Sequence, residues 1–398
     1  MKKSLVLSML AGVLVLLAAP VVHATNYALL VGVNDYWYGG ELNGCVNDAN
    51  DFRATLLTDS ARWKAGRITR LVDNNATKVR IKRSLRKFAK KCKSGDQFVF
   101  FFSGHGGRYG SKSAYLCCVN SDPYSYQGDL KATELASELA RFRKGVHIVC
   151  LFDSCHSAGM FKSKDAGKEG DFADSVARAY RELVGAEEGA TLKSVAKSGA
   201  RIGYISACTV SQTSEDAWFS SLGASRGVFT YFYCRALRRT ATDAVPRNGY
   251  VSFREGFLYA RHQVPAAGYS QRMQTKNPSL LKKMSAIRVR LAKVAKLAVS
   301  PSSGVLAGST STLVGSRRPR FTWSKVSGAT HYQVQLVRVS SGKLLWTHRT
   351  AVRHYTQRTN LPNGTYRFRV RAQRLAKGGK KGVSGSWSSW KTFVVRGQ

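Results

Sequence analysis

Short apolar runs alternate with polar segments through the first two-thirds of the chain. The runs cover residues 27–33, 68–72, 96–102, 146–152 and 202–208, and they are rich in Val, Ile, Leu and Phe. Each is bounded by Gly, Ser or another polar residue, which is typical of strands buried within a sheet. We therefore predict a strand at each of these positions.

The segments between these runs carry apolar residues at helical spacing. Helices are predicted at about 47–57, 77–92, 132–142, 227–239 and 251–263. In the second of them, the residues predicted to face inward are Val79, Ile81, Leu85 and Phe88. Strands alternating with helices predict an α/β fold, with a mostly parallel sheet flanked by helices on both faces.

Two segments interrupt this pattern. Residues 160–200 are rich in Lys, Glu, Ala, Gly and Ser, and we expect a long mobile loop with a helix near 171–184. Residues 291–318 are rich in Lys, Ala, Val, Ser and Gly and are interpreted as a linker. The α/β domain is therefore predicted to span residues 25–290.

From Pro319 to the end, the apolar residues alternate with polar ones. The alternating positions are Phe321 and Trp323, Tyr332, Val334 and Leu336, Leu344 and Trp346, Tyr366, Phe368 and Val370, and Phe393 and Val395. Gly342, Asn363-Gly364 and Gly378-Gly379 supply the turns between them. This pattern predicts that residues 319–398 form an all-β sandwich.

Charge is unevenly distributed along the chain. The formal net charge is +40, and no Asp or Glu follows Glu255. Residues 291–398 carry twenty Lys and Arg, a field that attracts polyanions. A solubility device or a general bias toward basic residues would give the same composition. No basic cluster lies in a dedicated nucleic-acid motif.

The first 24 residues resemble a secretory signal. Met1-Lys2-Lys3 precedes an apolar run, and Val22-His23-Ala24 offers small residues for cleavage. An uncleaved membrane anchor is the alternative, but the run is short for a span. We expect removal of residues 1–24 and an exported protein, whether periplasmic, secreted or at the cell surface. Eight cysteines in a chain of 398 residues are too few for a disulfide framework, and none has zinc-ligand spacing.

A His and a Cys each follow the end of a predicted buried strand. His105 lies in Ser103-Gly104-His105-Gly106, and Cys155 lies in Asp153-Ser154-Cys155-His156-Ser157. Because parallel strands end at one sheet edge, a thiol nucleophile and an imidazole acid–base can meet there. The N–H groups of Gly106 and Cys155 are candidate oxyanion donors. A buried Cys and an unrelated loop His remain the alternative.

Four segments together resemble the metacaspases, the caspase-like cysteine peptidases found outside animals. They are 103–106, 153–157, 44–49 (GCVNDA) and 206–214 (SACTVSQTS), and the resemblance covers about 26–285. It implies a caspase-like fold and cysteine endopeptidase activity carried by His105 and Cys155. Residues 319–323, 364–372 and 387–390 resemble a fibronectin type III module.

The metacaspase resemblance also implies cleavage after Arg or Lys. Asp48, Ser103 and Asp153 would then line the substrate pocket, where two carboxylates attract a guanidinium or ammonium group. An alternative role for Asp48 is stabilisation of a helix N-terminus.

Many metacaspases bind calcium through scattered Asp residues. This chain has Leu116, the stretch Lys131-Ala132-Thr133-Glu134, and Lys162 at the corresponding positions. A Lys in place of an oxygen ligand opposes a hard cation. We therefore predict no bound metal, no cofactor and no calcium requirement.

Three hypotheses follow. The first is an exported Arg/Lys-specific cysteine endopeptidase that acts on proteins or peptides and whose basic C-terminal module holds an anionic polymer or surface. The second is a non-catalytic, caspase-shaped binding protein that acts through its basic β-sandwich. The third is a clostripain-like or legumain-like peptidase, which the segments 44–49 and 206–214 disfavour.

Overall fold

A computed structural model of the chain describes an α/β part followed by an all-β part. The described residues are 24–109, 113–154, 172–183, 199–209, 212–239, 242–243, 248–289, 291, 293–300, 304–305, 311–375 and 382–396. Residues 1–23 of the expected signal, Cys155 and most of 160–200 lie outside this set. No helix among the described residues is both long enough and apolar enough to cross a bilayer.

The α/β part contains all seven described helices. They are α1 (Cys45–Leu57), α2 (Lys78–Lys91), α3 (Ala132–Ala140), α4 (Phe172–Leu183), α5 (Val228–Arg238), α6 (Phe253–Ala266) and α7 (Pro278–Lys283). Local sequence fixes several of their ends. The Thr77 hydroxyl accepts a hydrogen bond from Arg80 N at the start of α2, and Ser252 with Glu255 forms a capping box at the start of α6.

Thirteen strands belong to the described residues of the α/β part. They are β1 (Asn26–Gly32), β2 (Ile68–Val72), β3 (Gln97–Gly104), β4 (Gly106–Tyr109), β5 (Ser113–Leu116), β6 (Leu130–Lys131), β7 (His147–Ser154), β8 (Arg201–Ser206), β9 (Asp216–Phe219), β10 (Ala224–Gly227), β11 (Tyr250–Ser252), β12 (Gln274–Lys276) and β13 (Ser285–Arg288). The central sheet has the order β12-β8-β7-β3-β1-β2 and is parallel except for β12. The predicted sheet is therefore confirmed.

Side chains of the central strands alternate between two cores. On β3, Phe98, Phe100 and Phe102 face the core that α2, α3 and α4 cover. Val99 and Phe101 face the opposite core, which α1, α5, α6 and α7 cover. Both faces of the sheet are buried, which explains why β3 is almost entirely apolar.

The prediction for one residue of α2 is wrong. Ile81, Leu85 and Phe88 are buried as expected, but Val79 is 62% exposed. Val79 precedes Ile81 by two residues, which is about 200° around a helix, so the two side chains point in opposite directions.

The remaining strands build the β-sandwich. They are β14 (Ala298–Ser300), β15 (Gly304–Val305), β16 (Thr312–Val314), β17 (Arg320–Thr322), β18 (His331–Arg338), β19 (Leu344–Thr350), β20 (His354–Thr356), β21 (Gly364–Arg374), β22 (Val383–Ser384) and β23 (Lys391–Val395). One sheet has the order β15-β16-β23-β21-β18-β19, with β22 paired to β21, and the other has the order β14-β17-β20. Phe321, Phe368 and Phe393 meet in the core between them.

Two expectations for this region need correction. The segment 291–318, interpreted as a linker, contributes β14 to β16, and its buried residues Leu291, Val294 and Val314 belong to the sandwich core. Leu344 was expected inside but is 47% exposed. The pairing register of β18 with β19 shifts between Leu336 and Val337, and such a bulge moves the following side chain to the other face.

Candidate active site

Strand register places the two predicted catalytic segments side by side. The parallel strands β3 and β7 pair Ser103 with Asp153 and Gly104 with Ser154. His105 follows Gly104 directly, and Cys155 follows Ser154, although Cys155 itself lies outside the described residues. The carboxyl ends of these strands lie where open parallel sheets place their ligands. The backbone thus brings both segments to one edge.

The His105 imidazole is held by the loop that follows β1. Its Nε2 lies 2.7 Å from the carbonyl oxygen of Gly40, and its ring lies against Tyr36 with centroids 5.0 Å apart. His105 N also donates to the Tyr36 hydroxyl at 2.7 Å. Because a carbonyl only accepts, Nε2 carries the proton in this bond and Nδ1 keeps its lone pair. The residue before His105 must be small, since a Cβ on Gly104 would lie 2.6 Å from the Tyr36 hydroxyl.

Burial sets the protonation of His105. Desolvation lowers the pKa of the imidazole, while the Gly40 carbonyl and the Asp216 carboxylate act in the opposite direction. The net effect favours a neutral ring at neutral pH. A neutral imidazole whose Nδ1 is available can take a proton from a thiol and later return it to a leaving amine.

Asp48 lies beneath this edge, in the first turn of α1, and is fully buried. The Ser103 hydroxyl donates to its Oδ2 at 2.8 Å. Gly227 N donates to both carboxylate oxygens, at 3.0 and 3.1 Å. The carboxylate is therefore fixed by one hydroxyl and one backbone N–H group, both of them neutral.

Asp153, the last but one residue of β7, is 4% exposed and lies across Gly227 from Asp48. Its Oδ2 accepts from Thr230 N at 3.1 Å and from the Thr230 hydroxyl at 2.6 Å. The Ser214 hydroxyl contacts its Oδ1. Thr230 and Gly227 stand at the N-terminus of α5, whose unpaired N–H groups and dipole favour negative charge.

Gly227 separates the two carboxylates. A Cβ at this position would lie 2.3 Å from Asp153 Oδ2 and 2.7 Å from Asp48 Oδ2. Real Cβ atoms do not approach oxygen so closely, so any other residue would displace both side chains. We call the space around Asp48, Asp153 and Gly227 the acidic pocket.

The carboxyl groups of the acidic pocket are not paired with a cation among the described residues. In the part that the structure describes, neither Asp48 nor Asp153 has an ion-pair partner. Burial and the neighbouring carboxylates Asp153 and Asp216 raise the pKa of Asp48 well above its usual value. Burial also raises the pKa of Asp153 to about 6, against the hydrogen bonds from Ser214 and Thr230. An arriving cation would relieve this repulsion.

A third carboxylate and a thiol adjoin the acidic pocket. Asp216, on β9, is exposed, and its Oδ2 accepts from Gly44 N at 3.0 Å. Cys45 Sγ and carboxylate oxygens of Asp48 and Asp216 lie within 4.8 Å of one another. These three ligands would suit a thiol-binding cation such as Zn²⁺ better than Ca²⁺, which takes six to eight oxygens. Cys45 is itself buried beside Asp48.

Backbone geometry at Gly106 fits the role of an oxyanion donor. Cys117 N donates to the His105 carbonyl at 2.9 Å, and Gly106 pairs with Leu116 between β4 and β5. In an antiparallel ladder this arrangement makes Gly106–Leu116 a non-hydrogen-bonded pair, whose N–H groups point away from the partner strand. Because β4 is the edge strand of this sheet among the described residues, the Gly106 N–H points away from β5.

The sequence predicted which strand ends carry the site, but it did not predict every residue of the acidic pocket. His105, Gly106, Asp48, Ser103 and Asp153 lie at one end of the central sheet. The residues that it did not single out are Gly227, Thr230, Asp216 and the hydroxyl of Ser214. Gly227 and Thr230 could have been found from the sequence, because a Gly and a Thr at the start of a predicted helix are typical of an N-terminus that binds a carboxylate.

Comparison with known proteins assigns the family. The model of the caspase domain family matches residues 25–285, so the chain belongs to this family and is a cysteine-type endopeptidase. Its similarity extends to the metacaspases. Metacaspase-1 of Scheffersomyces stipitis is 27% identical over 290 residues, covering 62% of this chain and 69% of the relative. Metacaspase-1A of Aspergillus fumigatus is 26% identical over 289 residues, covering 62% and 67%.

Among solved structures, caspase-1 of Spodoptera frugiperda matches at low similarity. It is 11% identical, with a TM-score of 0.38, and the match covers 64% of this chain and 86% of that one. For the sandwich, a fibronectin type III-like protein of Clostridium thermocellum is 18% identical with a TM-score of 0.18, covering 27% of this chain and 92% of that one.

Proposed function

We propose that this protein is an exported, calcium-independent endopeptidase that cuts after Arg or Lys with a Cys155–His105 dyad. One observation carries the specificity: two buried carboxylates, Asp48 and Asp153, face each other across Gly227 without an ion-pair partner among the described residues. A guanidinium offers the charge and the paired donors that this arrangement lacks. An acidic side chain would bring a further carboxylate beside these two and would be repelled.

The reaction proceeds in two halves. His105 Nδ1 takes the Cys155 proton, and the thiolate attacks the backbone carbonyl carbon of the Arg or Lys residue before the cleaved bond. The N–H groups of Gly106 and Cys155 stabilise the resulting oxyanion. The imidazolium then protonates the leaving amine, which departs as a new N-terminus. Water, deprotonated by His105, hydrolyses the thioester, giving a carboxylate and restoring the thiol.

Calcium independence is supported by the surroundings of α3. The Glu134 carboxylate lies 2.8 Å from Lys82 Nζ and 3.4 Å from Lys78 Nζ, and it accepts a hydrogen bond from Lys131 N at 3.1 Å. These partners leave little of its coordination capacity for a metal, and the two ammonium groups repel a divalent cation. Lys162, the third position considered, lies outside the described residues.

Export and tethering complete the proposal. Residues 1–24 carry the charged start, apolar run and cleavage site of a secretory signal, which would be removed from the working enzyme. The C-terminal sandwich, interpreted as a fibronectin type III-like module, would hold the enzyme to an anionic polymer or surface. Its support is twenty basic residues and no acidic residue in 291–398.

The test uses two fluorogenic peptides that differ only in Arg or Asp before the cleaved bond. The proposal expects turnover of the Arg peptide alone, its loss in Cys155→Ala, and weaker binding in Asp48→Asn. Asp96→Asn is the matched control, because Asp96 is a buried carboxylate fixed by two backbone N–H groups at the opposite end of the sheet. Turnover of the Asp peptide, or full activity of Cys155→Ala, would refute the proposal.

A further inference from the structure

The outer face of the larger sandwich sheet carries a row of stacked arginines. Arg367, Arg369 and Arg371 alternate along β21 with buried apolar residues, so all three point outward. Arg367 and Arg369 lie over the Trp390 ring at 4.7 and 4.4 Å from its centroid. Arg369 and Arg371 lie over the Trp387 ring, both at 4.6 Å. The indoles and guanidiniums thus interleave as a ladder, in which each cation is held by a ring quadrupole.

Glutamines fix the other side of the same guanidiniums. Arg369 Nε donates to Gln335 Oε1 at 2.9 Å, and Arg371 Nε donates to Gln333 Oε1 at 2.8 Å. Both glutamines lie on β18, directly opposite these arginines in the register. Stacking and hydrogen bonding together restrict the side chains, so a ligand would order them at small entropic cost.

A fourth arginine lies on β19, which is separated from β21 by β18. Arg349, on β19, pairs with Gln333 across the sheet, and its Nε donates to Gln373 Oε1 at 3.0 Å. Burial and the neighbouring guanidiniums of Arg369 and Arg349 lower the pKa of Arg371, as expected for like charges held together. We call Arg349, Arg367, Arg369 and Arg371 the arginine face.

No acidic side chain of the sandwich can neutralise this face, because the chain has no Asp or Glu after Glu255. Holding like charges together costs free energy, and the partners present, indole rings and amide oxygens, orient the guanidiniums without cancelling their charge. Alternate residues on a strand lie about 6.8 Å apart, so the face presents a line of cations at regular spacing. A linear polymer with repeated anionic groups complements such a line.

We propose that the arginine face binds an anionic polysaccharide bearing sulfate or carboxylate groups. This inference rests on the proposed tethering role and gives it a location and a ligand class. The neutral groups between the arginines favour a sugar polymer over a simple polyphosphate. Gln333, Gln335 and Thr347 lie on the same face. Gln335 Nε2 donates to the Thr347 hydroxyl at 3.3 Å, and the amide and hydroxyl hydrogens that this bond does not use can bond sugar oxygens as the guanidiniums bind the anions.

The experiment measures binding of heparin, as a sulfated probe, to the full chain carrying Cys155→Ala. The ladder variant combines Arg367→Gln, Arg369→Gln and Arg371→Gln, and we expect about 100-fold weaker binding. A control makes the same charge change at three exposed arginines on or beside the opposite sheet, and should weaken binding less than about threefold. They are Arg320 on β17, and Arg353 and Arg358 near the two ends of β20.

A second variant protects the test against misfolding. Gln333→Glu with Gln335→Glu keeps the side-chain shape and the hydrogen bonds to Arg371 and Arg369, but it neutralises both guanidiniums in place. Binding should fall at least about tenfold, while the unfolding temperature stays equal or rises. Retained binding in this variant would show that the arginines serve only the fold, and would overturn the inference.

Other outcomes separate the two proposals. If the parent chain does not bind heparin at physiological salt, both the tethering role and this inference fail. If it binds but the ladder and control variants lose affinity equally, the tether stands and the arginine face is overturned. Tighter binding of polyphosphate or single-stranded DNA of equal charge would overturn the choice of polysaccharide. Peptide cleavage is measured separately and bears on none of these results.

Discussion

The acidic pocket and the arginine face carry opposite charges, but in both regions neutral partners hold the charged groups in position. In the pocket, Asp48 and Asp153 are fixed by hydroxyl and backbone N–H groups. On the face, Arg369 and Arg371 are fixed by glutamine oxygens and indole rings. Neutral partners hold each charge in position without cancelling it, so the compensating charge is left for a ligand.

The two regions differ in burial, and this difference decides what each can bind. Asp48 is fully buried and Asp153 is 4% exposed, and we propose this pair as the site of one cationic side chain. The arginine face is a partly exposed sheet surface, which we propose binds an extended polymer. Burial strengthens a single contact in the pocket, whereas the face depends on many contacts that salt screens. Substitutions in one region should therefore leave the function of the other region unchanged.

The largest expected effect is on catalysis alone. His105→Ala should lower kcat/KM for an Arg peptide by about 10²–10⁴-fold, since the variant lacks the group that transfers the proton. Retention on heparin should not change. His147→Ala is the matched control, because His147 is a half-buried histidine at the opposite end of the sheet. Comparable losses in the two variants would argue against a special role for His105.

The next effect tests the separation of the two carboxylates. Gly227→Ala would place a Cβ against Asp48 and Asp153, and we expect kcat/KM for the Arg peptide to fall about 10–100-fold. Gly66→Ala is the control, because a Cβ there meets no atom within 4 Å. Equal cleavage by the two variants would contradict the role of Gly227 in the acidic pocket. Loss of heparin binding in Gly227→Ala would contradict the independence of the two regions.

A smaller effect follows from the pKa of Asp153, which burial raises to about 6. As the pH falls below this value the carboxylate gains a proton, so kcat/KM for an Arg peptide should fall by up to tenfold per pH unit. His105 also titrates in the acid range, and a citrulline peptide serves as a control that responds to the dyad alone. The Arg-to-citrulline ratio should therefore decline below about pH 6. A ratio that stays constant from pH 5 to 8 would contradict the assignment.

The same pKa predicts the sign of a stability change. Between about pH 4 and 6 the folded state binds more protons at Asp153 than the unfolded chain does, so stability falls as the pH rises through this window. Asp153→Asn removes that cost. Thermal unfolding should show the variant to be more stable than the parent above pH 6, with the difference vanishing below about pH 4. The opposite order would mean that Asp153 is stabilised as a carboxylate.

The last prediction is that removing calcium does not change the activity. Because Glu134 is held by Lys78 and Lys82, a calcium chelator should leave kcat/KM for the Arg peptide unchanged within about twofold. Activity is compared with chelator alone and with chelator followed by excess calcium or magnesium. Loss of activity that calcium alone restores would overturn calcium independence.

Much of the catalytic edge could be predicted from local sequence. Apolar runs that end at Ser103-Gly104 and Asp153-Ser154 define adjacent strands, and parallel strands bring their carboxyl ends together. The position of His105 then follows from chain direction alone. The same reasoning located six of the seven described helices to within three residues at each end, but it missed the short helix α7.

The rest of the pocket depends on contacts that no local pattern contains. Gly227 and Thr230 reach the carboxylates because the β9–β10 hairpin and α5 fold over the sheet end, far along the chain from Asp48. The bulge that exposes Leu344 and the burial of 291–318 against the sandwich are likewise tertiary effects. Short strands within a basic, Ser-rich segment have the composition of a linker.

The most direct test of the central claim compares two peptides that are nearly isosteric, one with Arg and one with citrulline before the cleaved bond. The parent enzyme should prefer Arg by at least about 100-fold in kcat/KM, since only the charged side chain compensates Asp48 and Asp153. In the double variant Asp48→Asn/Asp153→Asn the preference should fall to a few-fold, while Asp96→Asn retains it. Equal cleavage of the two peptides by the parent, or an unchanged preference in the double variant, would contradict the account.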